Sequence, residues 1–380
     1  MNKIIQKDNS VVYHIKVISW VVFYGHELLL RYLLHLASTQ NDSPCKIFDE
    51  TRSEQTRLLT LGCCSGDLDT LKIVLENVEH ECLNATLLQN KEDFETKDKN
   101  RHRCKTPLTA ACLHVGVAPT CISKLIKMGS NLHKMDESGH VPVFNAAFSR
   151  NRDVLKALLD ANADINYGNN GDSSPLFTAT SLNHLDAVKI LIEFGASVKK
   201  GKSDNTTPLF RATERGNLEI ARFLVEKGAD VNLCDNLKRS PLHGASRRRF
   251  RNIDFKVIQE QHCQVVKLLL NNGARVNATD KYNRSPLFLA SKKGYYELVD
   301  VLLQHDADPN IVDSFRRSPR FVASQNEHTN IVNLLLKYGA YRYLMPTWSY
   351  QLRKIALHSF YVFVLVLQSY CVLCVPVWLT

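Results

Sequence analysis

The sequence lacks the short motifs that mark the common catalytic sites. Its 380 residues contain no glycine-rich phosphate-binding loop, no His-Glu-x-x-His metal motif and no Gly-x-Ser-x-Gly nucleophile motif. The 14 histidines are scattered along the chain. We therefore expect neither an enzymatic activity nor a bound cofactor or metal.

Disulfide and secretion signals are also missing. The 11 cysteines are odd in number, and their spacing follows no zinc or disulfide framework. Cys112 and Cys263 lie inside apolar helical patterns, where a thiol behaves as a small hydrophobic group. Lys16 interrupts the apolar residues 11–24, and no small-residue cleavage site follows them. These features predict reduced cysteines in a cytoplasmic protein.

Basic residues are present in excess, but no nucleic-acid-binding signature accompanies them. Residues 1–230 contain 28 Lys+Arg and 28 Asp+Glu, whereas residues 231–345 contain 18 and 10, out of a net charge of +10. The run Arg247–Arg251 is more typical of a solvated loop than of a nucleic-acid site. The C-terminal third is expected either to face an acidic partner surface or to be a solvated face that favours solubility.

A Thr/Ser-Pro-Leu-Phe-like unit recurs along the chain. Its prolines are separated by 35, 33, 33, 33, 45 and 33 residues and stand at positions 107, 142, 175, 208, 241, 286 and 319. A fixed period of this length indicates an array of stacked supersecondary units.

The chemistry of one unit, residues 207–232, predicts two short helices. The Thr207 hydroxyl can cap the first helix and Pro208 suits its first turn. Gly216 turns the chain, and Asn217 can cap the second helix. Gly228 ends that helix in the left-handed conformation. Such a pair cannot bury its own apolar face, so it must stack on its neighbours.

The Thr-Pro-Leu-His-x-Ala pattern and the Gly-Ala-Asp-Val-Asn exit at residues 228–232 resemble ankyrin repeats. The resemblance implies an all-α solenoid of helix-turn-helix pairs with β-hairpin-like connections. It further implies a non-catalytic scaffold or adaptor that binds a partner protein on its concave surface, made of hairpin tips and first helices.

The repeats define the expected domain organisation. Residues 106–340 hold seven clear repeats with an insertion at 246–261, residues 57–105 a degenerate repeat and a charged loop, and residues 1–56 a degenerate N-terminal cap region with a partial repeat. Arg320 replaces the leucine of the other repeats. Because a buried unpaired guanidinium is costly, we expect the last repeat either to fray or to expose this arginine as part of a terminal cap.

The hairpin tips indicate where a partner would bind. The tips Ser138, Gly171 and Asp204 are small or polar, whereas the three later tips are large and apolar and have basic neighbours. Exposed aromatic residues beside arginines are typical of interface hot spots. The predicted partner-binding residues are Leu237, Lys238, Arg239, Tyr282, Arg284, Phe315, Arg316 and Arg317. The alternative is that Tyr282 and Phe315 pack against adjacent hairpins.

The segment 341–380 forms a hydrophobic tail. Its last 26 residues, Ile355–Thr380, carry no formal charge and are long enough to span a bilayer, with Arg353 and Lys354 in front of them. A membrane-tethered ankyrin protein, or a fragment of a membrane protein, with its repeats facing the cytosol is therefore the alternative function. The tail can instead cap the solenoid or be a terminus without function.

A ubiquitin-ligase substrate receptor is a lower-ranked alternative that rests on analogy alone. No SOCS-box or F-box pattern follows residue 340. The sequence leaves the identity of the partner and the oligomeric state open.

Overall fold

The computed structural model describes residues 18–39, 52–85, 106–114, 116–136, 138–247 and 255–341. Within these ranges the chain is all-helical and no strand occurs, so the connections between repeats are turns. Residues 18–23 are helical, and His80–Asn84 forms a 3-10 helix. The α-helices are α1 Glu27–Thr39, α2 Arg52–Ser65, α3 Leu68–Asn77, α4 Pro107–Leu113, α5 Pro119–Lys127, α6 Pro142–Ser149, α7 Arg152–Asp160, α8 Pro175–Ser181, α9 Leu185–Glu193, α10 Pro208–Arg215, α11 Leu218–Glu226, α12 Pro241–Arg247, α13 Phe255–Asn271, α14 Pro286–Lys293, α15 Tyr296–Gln304, α16 Pro319–Gln325 and α17 Thr329–Lys337.

Hydroxyl groups start the first helix of most repeats. The Thr207 oxygen accepts a hydrogen bond from the Phe210 amide at 3.1 Å, and Pro208 begins the helix, as the sequence predicts. Ser285 and Ser318 cap α14 and α16 in the same way, each at 3.1 Å. The recurring Thr/Ser-Pro pair therefore fixes where each first helix begins.

Asn217 has a different role from the one predicted. Its side chain makes no capping bond to α11; instead, its Nδ2 donates to the Thr180 carbonyl at 3.2 Å, at the C-terminal end of the first helix of the preceding repeat. Asn151 donates to Val117 in the same way, also at 3.2 Å. The residue before a second helix thus connects two repeats, and Asn151 also caps its own helix by accepting from the Val154 amide at 3.2 Å.

The described residues fall into two compact units, within residues 1–236 and residues 237–380. In the first unit, Leu209, Ala212, Ile220 and Leu224 of one repeat are all 1% exposed or less. Burial of each large side chain of this kind stabilises the fold by about 1.5–3 kcal/mol. In the second unit, Phe288, Leu289 and Val322 form a core cluster against which Phe321 packs.

The N-terminal part of the first unit also contains helix pairs. Gly66 has a φ of +78°, and Asp67 caps α3 by accepting the Thr70 amide at 2.7 Å. Residues 18–23 and α1 form a further pair around Gly25, which has a φ of +66°. The degenerate repeat predicted after residue 57 is therefore a helix pair, with Gly66 and Asp67 between its two helices.

The last repeat is folded rather than frayed. Its helices α16 and α17 are regular, with Val322, Ala323 and Leu335 at 1% exposure or less. Arg320 is half-buried, and its Nη1 donates to the Tyr341 carbonyl at 3.0 Å on the surface. This agrees with the second expectation, an arginine that reaches the surface at the end of the array.

Part of the insertion at 246–261 lengthens a helix. Helix α13 has 17 residues, whereas α11, α15 and α17 have nine each, and its first two turns lie within the insertion. Residues 248–254, most of the charged loop at 86–105 and the tail at 342–380 lie outside the described residues. The proposed membrane anchor therefore stays a prediction. Among the described helices, none combines the length and apolar character needed to cross a membrane.

Alanine substitution of two glycines tests how strongly the left-handed turns depend on glycine. Gly66→Ala places a Cβ 2.7 Å from the Gly116 carbonyl oxygen, whereas Gly195→Ala, at a φ of +92°, meets open space. A left-handed alanine costs about 1–2 kcal/mol, so we expect Gly195→Ala to lower the free energy of unfolding by about that amount. The steric clash adds about 1 kcal/mol or more at Gly66. Urea unfolding followed by circular dichroism measures both, and equal losses would contradict the clash.

Cysteine reactivity tests the packing of the first unit. Burial raises the pKa of Cys64 to about 12 and raises that of Cys112 well above its usual range. Because the thiolate is the reactive species, both should react slowly with iodoacetamide at pH 8, whereas the half-buried Cys234 should react first. Peptide mass mapping over time measures the order. Alkylation of Cys64 at the rate of Cys234 in the folded protein would show that the core is open.

Candidate partner-binding surface

The connection between repeats at residues 280–284 is a loop closed by its own aspartate. The Asp280 carboxylate is buried, and its Oδ1 accepts hydrogen bonds from the amides of Tyr282 at 2.8 Å and Arg284 at 3.0 Å. The Asp280 amide donates to the Arg284 carbonyl at 3.1 Å, and Asn283 is left-handed with a φ of +56°. This tight loop leaves Tyr282 at its tip.

Residues 313–317 repeat that construction. The Asp313 Oδ1 accepts from the amides of Phe315 at 3.0 Å and Arg317 at 2.9 Å, and Arg316 has a φ of +59°. Asn169 accepts from Gly171 and Ser173 in the same manner in the first unit. An amide oxygen therefore holds this loop as well as a carboxylate does, so the second oxygen of the aspartate has a separate role.

The second aspartate oxygen binds an arginine. Nε and Nη2 of Arg284 both donate to Asp280 Oδ2, at 2.8 and 2.6 Å, and Arg317 makes the same two bonds to Asp313. Each carboxylate side chain is at most 1% exposed, and each guanidinium-bearing side chain is below 30% exposed. A buried carboxylate therefore compensates the charge of each of these two arginines.

The same guanidinium groups support the aromatic tips. The guanidinium carbon of Arg284 lies 4.7 Å from the ring centroid of Tyr282, and that of Arg317 lies 5.0 Å from the ring of Phe315. Tyr282 remains 45% exposed and Phe315 69% exposed. Each ring is thus held from one side by its own loop and is open to solvent on the rest of its surface.

Hydrogen bonds between loops put the three tips of the second unit in a row. The Lys281 amide donates to the Leu237 carbonyl and the Ser314 amide donates to the Tyr282 carbonyl, both at 2.9 Å. In the turns that follow the second helices, Asn277 accepts from the Asp308 amide at 2.8 Å and Asn310 accepts from the Tyr341 amide at 2.9 Å. Hydrogen bonds between the loops and hydrogen bonds between the turns therefore both fix the distance from one tip to the next.

His243 also has a structural role. It is fully buried; its Nδ1 accepts from the Ser240 amide at 3.2 Å, and its Nε2 lies 3.0 Å from the Arg284 carbonyl. Because Nδ1 is an acceptor and a carbonyl cannot donate, the proton lies on Nε2. This histidine joins the start of α12 to the end of the 280–284 loop.

The eight predicted residues differ in exposure. Lys238, Tyr282, Phe315 and Arg316 are exposed, whereas Leu237, Arg239, Arg284 and Arg317 are half-buried. The exposed cations thus flank the row, while Arg284 and Arg317 lie beneath the rings.

In the described part of the chain, no group of three or more His, Cys, Asp or Glu side chains is placed to hold a metal ion.

The sequence interpretation missed the buried aspartates beside the tips. Asp280 and Asp313 each precede their arginine by four residues, and Asp235 precedes Arg239 by the same interval. This recurring Asp-x-x-x-Arg spacing was the available signal.

Comparison with known proteins agrees with this architecture. Residues 167–235 and 255–344 match the family described as ankyrin repeats (3 copies). No curated protein matches the chain significantly.

The aspartate–arginine pair can be tested without breaking the loop. Asp313→Asn keeps an oxygen for the two backbone amides, as at Asn169, but removes the charge that compensates Arg317. We expect the free energy of unfolding to fall by about 1–2 kcal/mol, since the pair is partly exposed. Asp308→Asn, at an exposed carboxylate of the same repeat, is the control and should change it by at most about 0.5 kcal/mol. Denaturant titration measures both, and equal effects would show that the pair contributes nothing.

Proposed function

Because this chain is an ankyrin-repeat protein, with repeats that form a protein–protein interaction domain, we propose that it is a non-catalytic scaffold or adaptor. Its partner binds along the row of tips formed by Leu237, Tyr282 and Phe315. The observation that carries the proposal is the pair of exposed aromatic rings, each held on an arginine that a buried aspartate fixes.

Rigid aromatic side chains favour binding energetically. Aromatic residues dominate interface hot spots, where truncation costs about 2 kcal/mol or more. Association also costs the entropy of ordering side chains, about 0.5–1.5 kcal/mol for each flexible one. Since the arginine already restricts each ring, Tyr282 and Phe315 would lose little freedom on binding.

The charges of the row favour a partner with apolar groups and an acidic border. Lys238, Lys281 and Arg316 are exposed around the tips. Carboxylates on a partner would meet these three cations rather than Arg284 and Arg317, which are already bound to Asp280 and Asp313. Peripheral charges of this kind govern association rate and salt dependence more than affinity.

The proposed location is the cytosol. The seven cysteines described by the structure are free thiols, and six of them are buried, five in α-helices and one in the 3-10 helix. A reducing compartment keeps such thiols intact.

Quantitative affinity capture tests the binding surface. Tyr282→Ala/Phe315→Ala should reduce recovery of the specific partner at least tenfold, because two exposed anchors are lost while the folded core is untouched. The control Tyr167→Ala/Phe194→Ala removes two partly exposed aromatic residues, at 40% and 39% exposure, from the first unit. Mass spectrometry of the captured proteins measures recovery.

A partner retained by the tip variant, or lost equally with the control variant, would place the binding surface elsewhere. Lys238→Ala/Arg316→Ala should instead weaken binding mainly at low ionic strength. Circular dichroism checks that each variant keeps its helices.

A further inference from the structure

The N-terminal helix pair carries an exposed apolar patch that the proposed function does not use. Five large side chains, between 44% and 82% exposed, define the N-terminal apolar patch: Trp20, Tyr24, Leu28, Leu29 and Tyr32. The rings of Trp20 and Tyr24 lie 4.9 Å apart. Leu28 and Tyr32 are four residues apart on α1 and share one face of that helix.

The opposite faces of the same two helices are packed. Ile18, Val21, Val22 and Leu30 are at most 5% exposed. A side chain built on Gly62 of α2 would lie 3.5 Å from a Val22 methyl, so helix 18–23 packs closely against the next pair. The patch is therefore the outer face of a folded helix pair. Terminal repeats of an array ordinarily have a polar outer face, so an apolar one requires an explanation.

The patch has the size of a dimer interface. Each aromatic side chain has about 150–250 Å² to bury, so the exposed parts of the five side chains amount to roughly 500 Å². The largest patch on a typical monomer is about 300–600 Å² and is often functional. A standard interface buries about 800 Å² on each partner, so this patch supplies most of the area required of one side.

Charge favours a second copy of the chain over a charged partner. Glu27 and Arg31 are the only charged residues between positions 18 and 35. They pair with each other at 2.7 Å, from Arg31 Nε to Glu27 Oε1. Two identical patches can therefore meet without like-charge repulsion. An anionic lipid surface would require unpaired basic residues on the polar border of the helix.

We propose that the N-terminal apolar patch is the interface of a symmetric homodimer. A two-fold axis pairs each patch with its own copy, so one surface satisfies both chains and assembly stops at two. The exposed face of this helix pair then packs against the equivalent face of the second copy.

Sedimentation equilibrium of the full chain tests the proposal. The weight-average mass should rise with concentration from 43.1 kDa toward twice that value and then remain constant. Trp20→Ser/Leu28→Ser/Tyr32→Ser should stay at one copy at the same concentrations. The control Tyr167→Ser/Phe194→Ser, which alters exposed aromatic residues elsewhere in the first unit, should dimerise as the unaltered protein does.

Three outcomes would overturn the homodimer. A mass of one copy at every concentration would show that another segment of the chain or a different partner covers the patch. A dimer that persists in the triple variant, or that is lost equally in the control, would place the interface elsewhere. Growth beyond two copies would exclude a closed pair. Because the tip variant Tyr282→Ala/Phe315→Ala leaves this patch unchanged, failure of one proposal does not affect the other.

Discussion

Burial of each helix pair against its neighbouring repeat is the constraint on which the rest of the structure depends. A pair such as α10 and α11 has too little apolar surface to fold alone, so its side chains reach about 0–1% exposure only within the stack. Hydrogen bonds set the spacing of that stack. Asn217 binds the repeat before it, whereas Asn310 binds the turn that follows the next second helix. Each repeat is therefore held in register from both sides, and any feature that recurs in the repeats becomes a regular row.

Within this regular array, the loops expose aromatic side chains and still hold them in fixed orientations. One oxygen of Asp313 closes the loop backbone, while the other fixes Arg317, and the arginine in turn supports Phe315. A 69% exposed phenylalanine would otherwise sample many orientations in water. Here the cost of burying a carboxylate is offset by four charge-assisted hydrogen bonds, two of them from the guanidinium. Ion pairs that lie just below the surface thus hold the exposed rings in place.

The sequence predicted the structural features that each repeat fixes locally. It did not predict the features that depend on contacts between repeats. The Thr/Ser-Pro pairs and the period of 33 predict where first helices start, because capping and proline geometry are local. Asn217 looked like a helix cap, but its side chain makes no capping bond and instead donates to a carbonyl of the preceding repeat, which sequence spacing cannot reveal. Arg284 and Arg317 looked like free cations for the same reason, since only the loop conformation brings each one to its aspartate. Helix α13 was longer than expected because its insertion continues a helical pattern.

The ends of a repeat array follow from the same constraint, since each terminal repeat has one neighbour instead of two. At the C-terminal end of the array, Arg320 takes a position that leucine occupies elsewhere, and its guanidinium reaches the Tyr341 carbonyl at the surface. A polar side chain at that position can contact water, whereas a leucine would need apolar neighbours. The N-terminal pair has no such substitution; Trp20 and Leu28 are 65% and 82% exposed. Keeping this apolar area in contact with water costs about 25 cal/mol per Å² relative to burying it. The two ends therefore differ chemically, and the N-terminal end has the stronger driving force to acquire a partner.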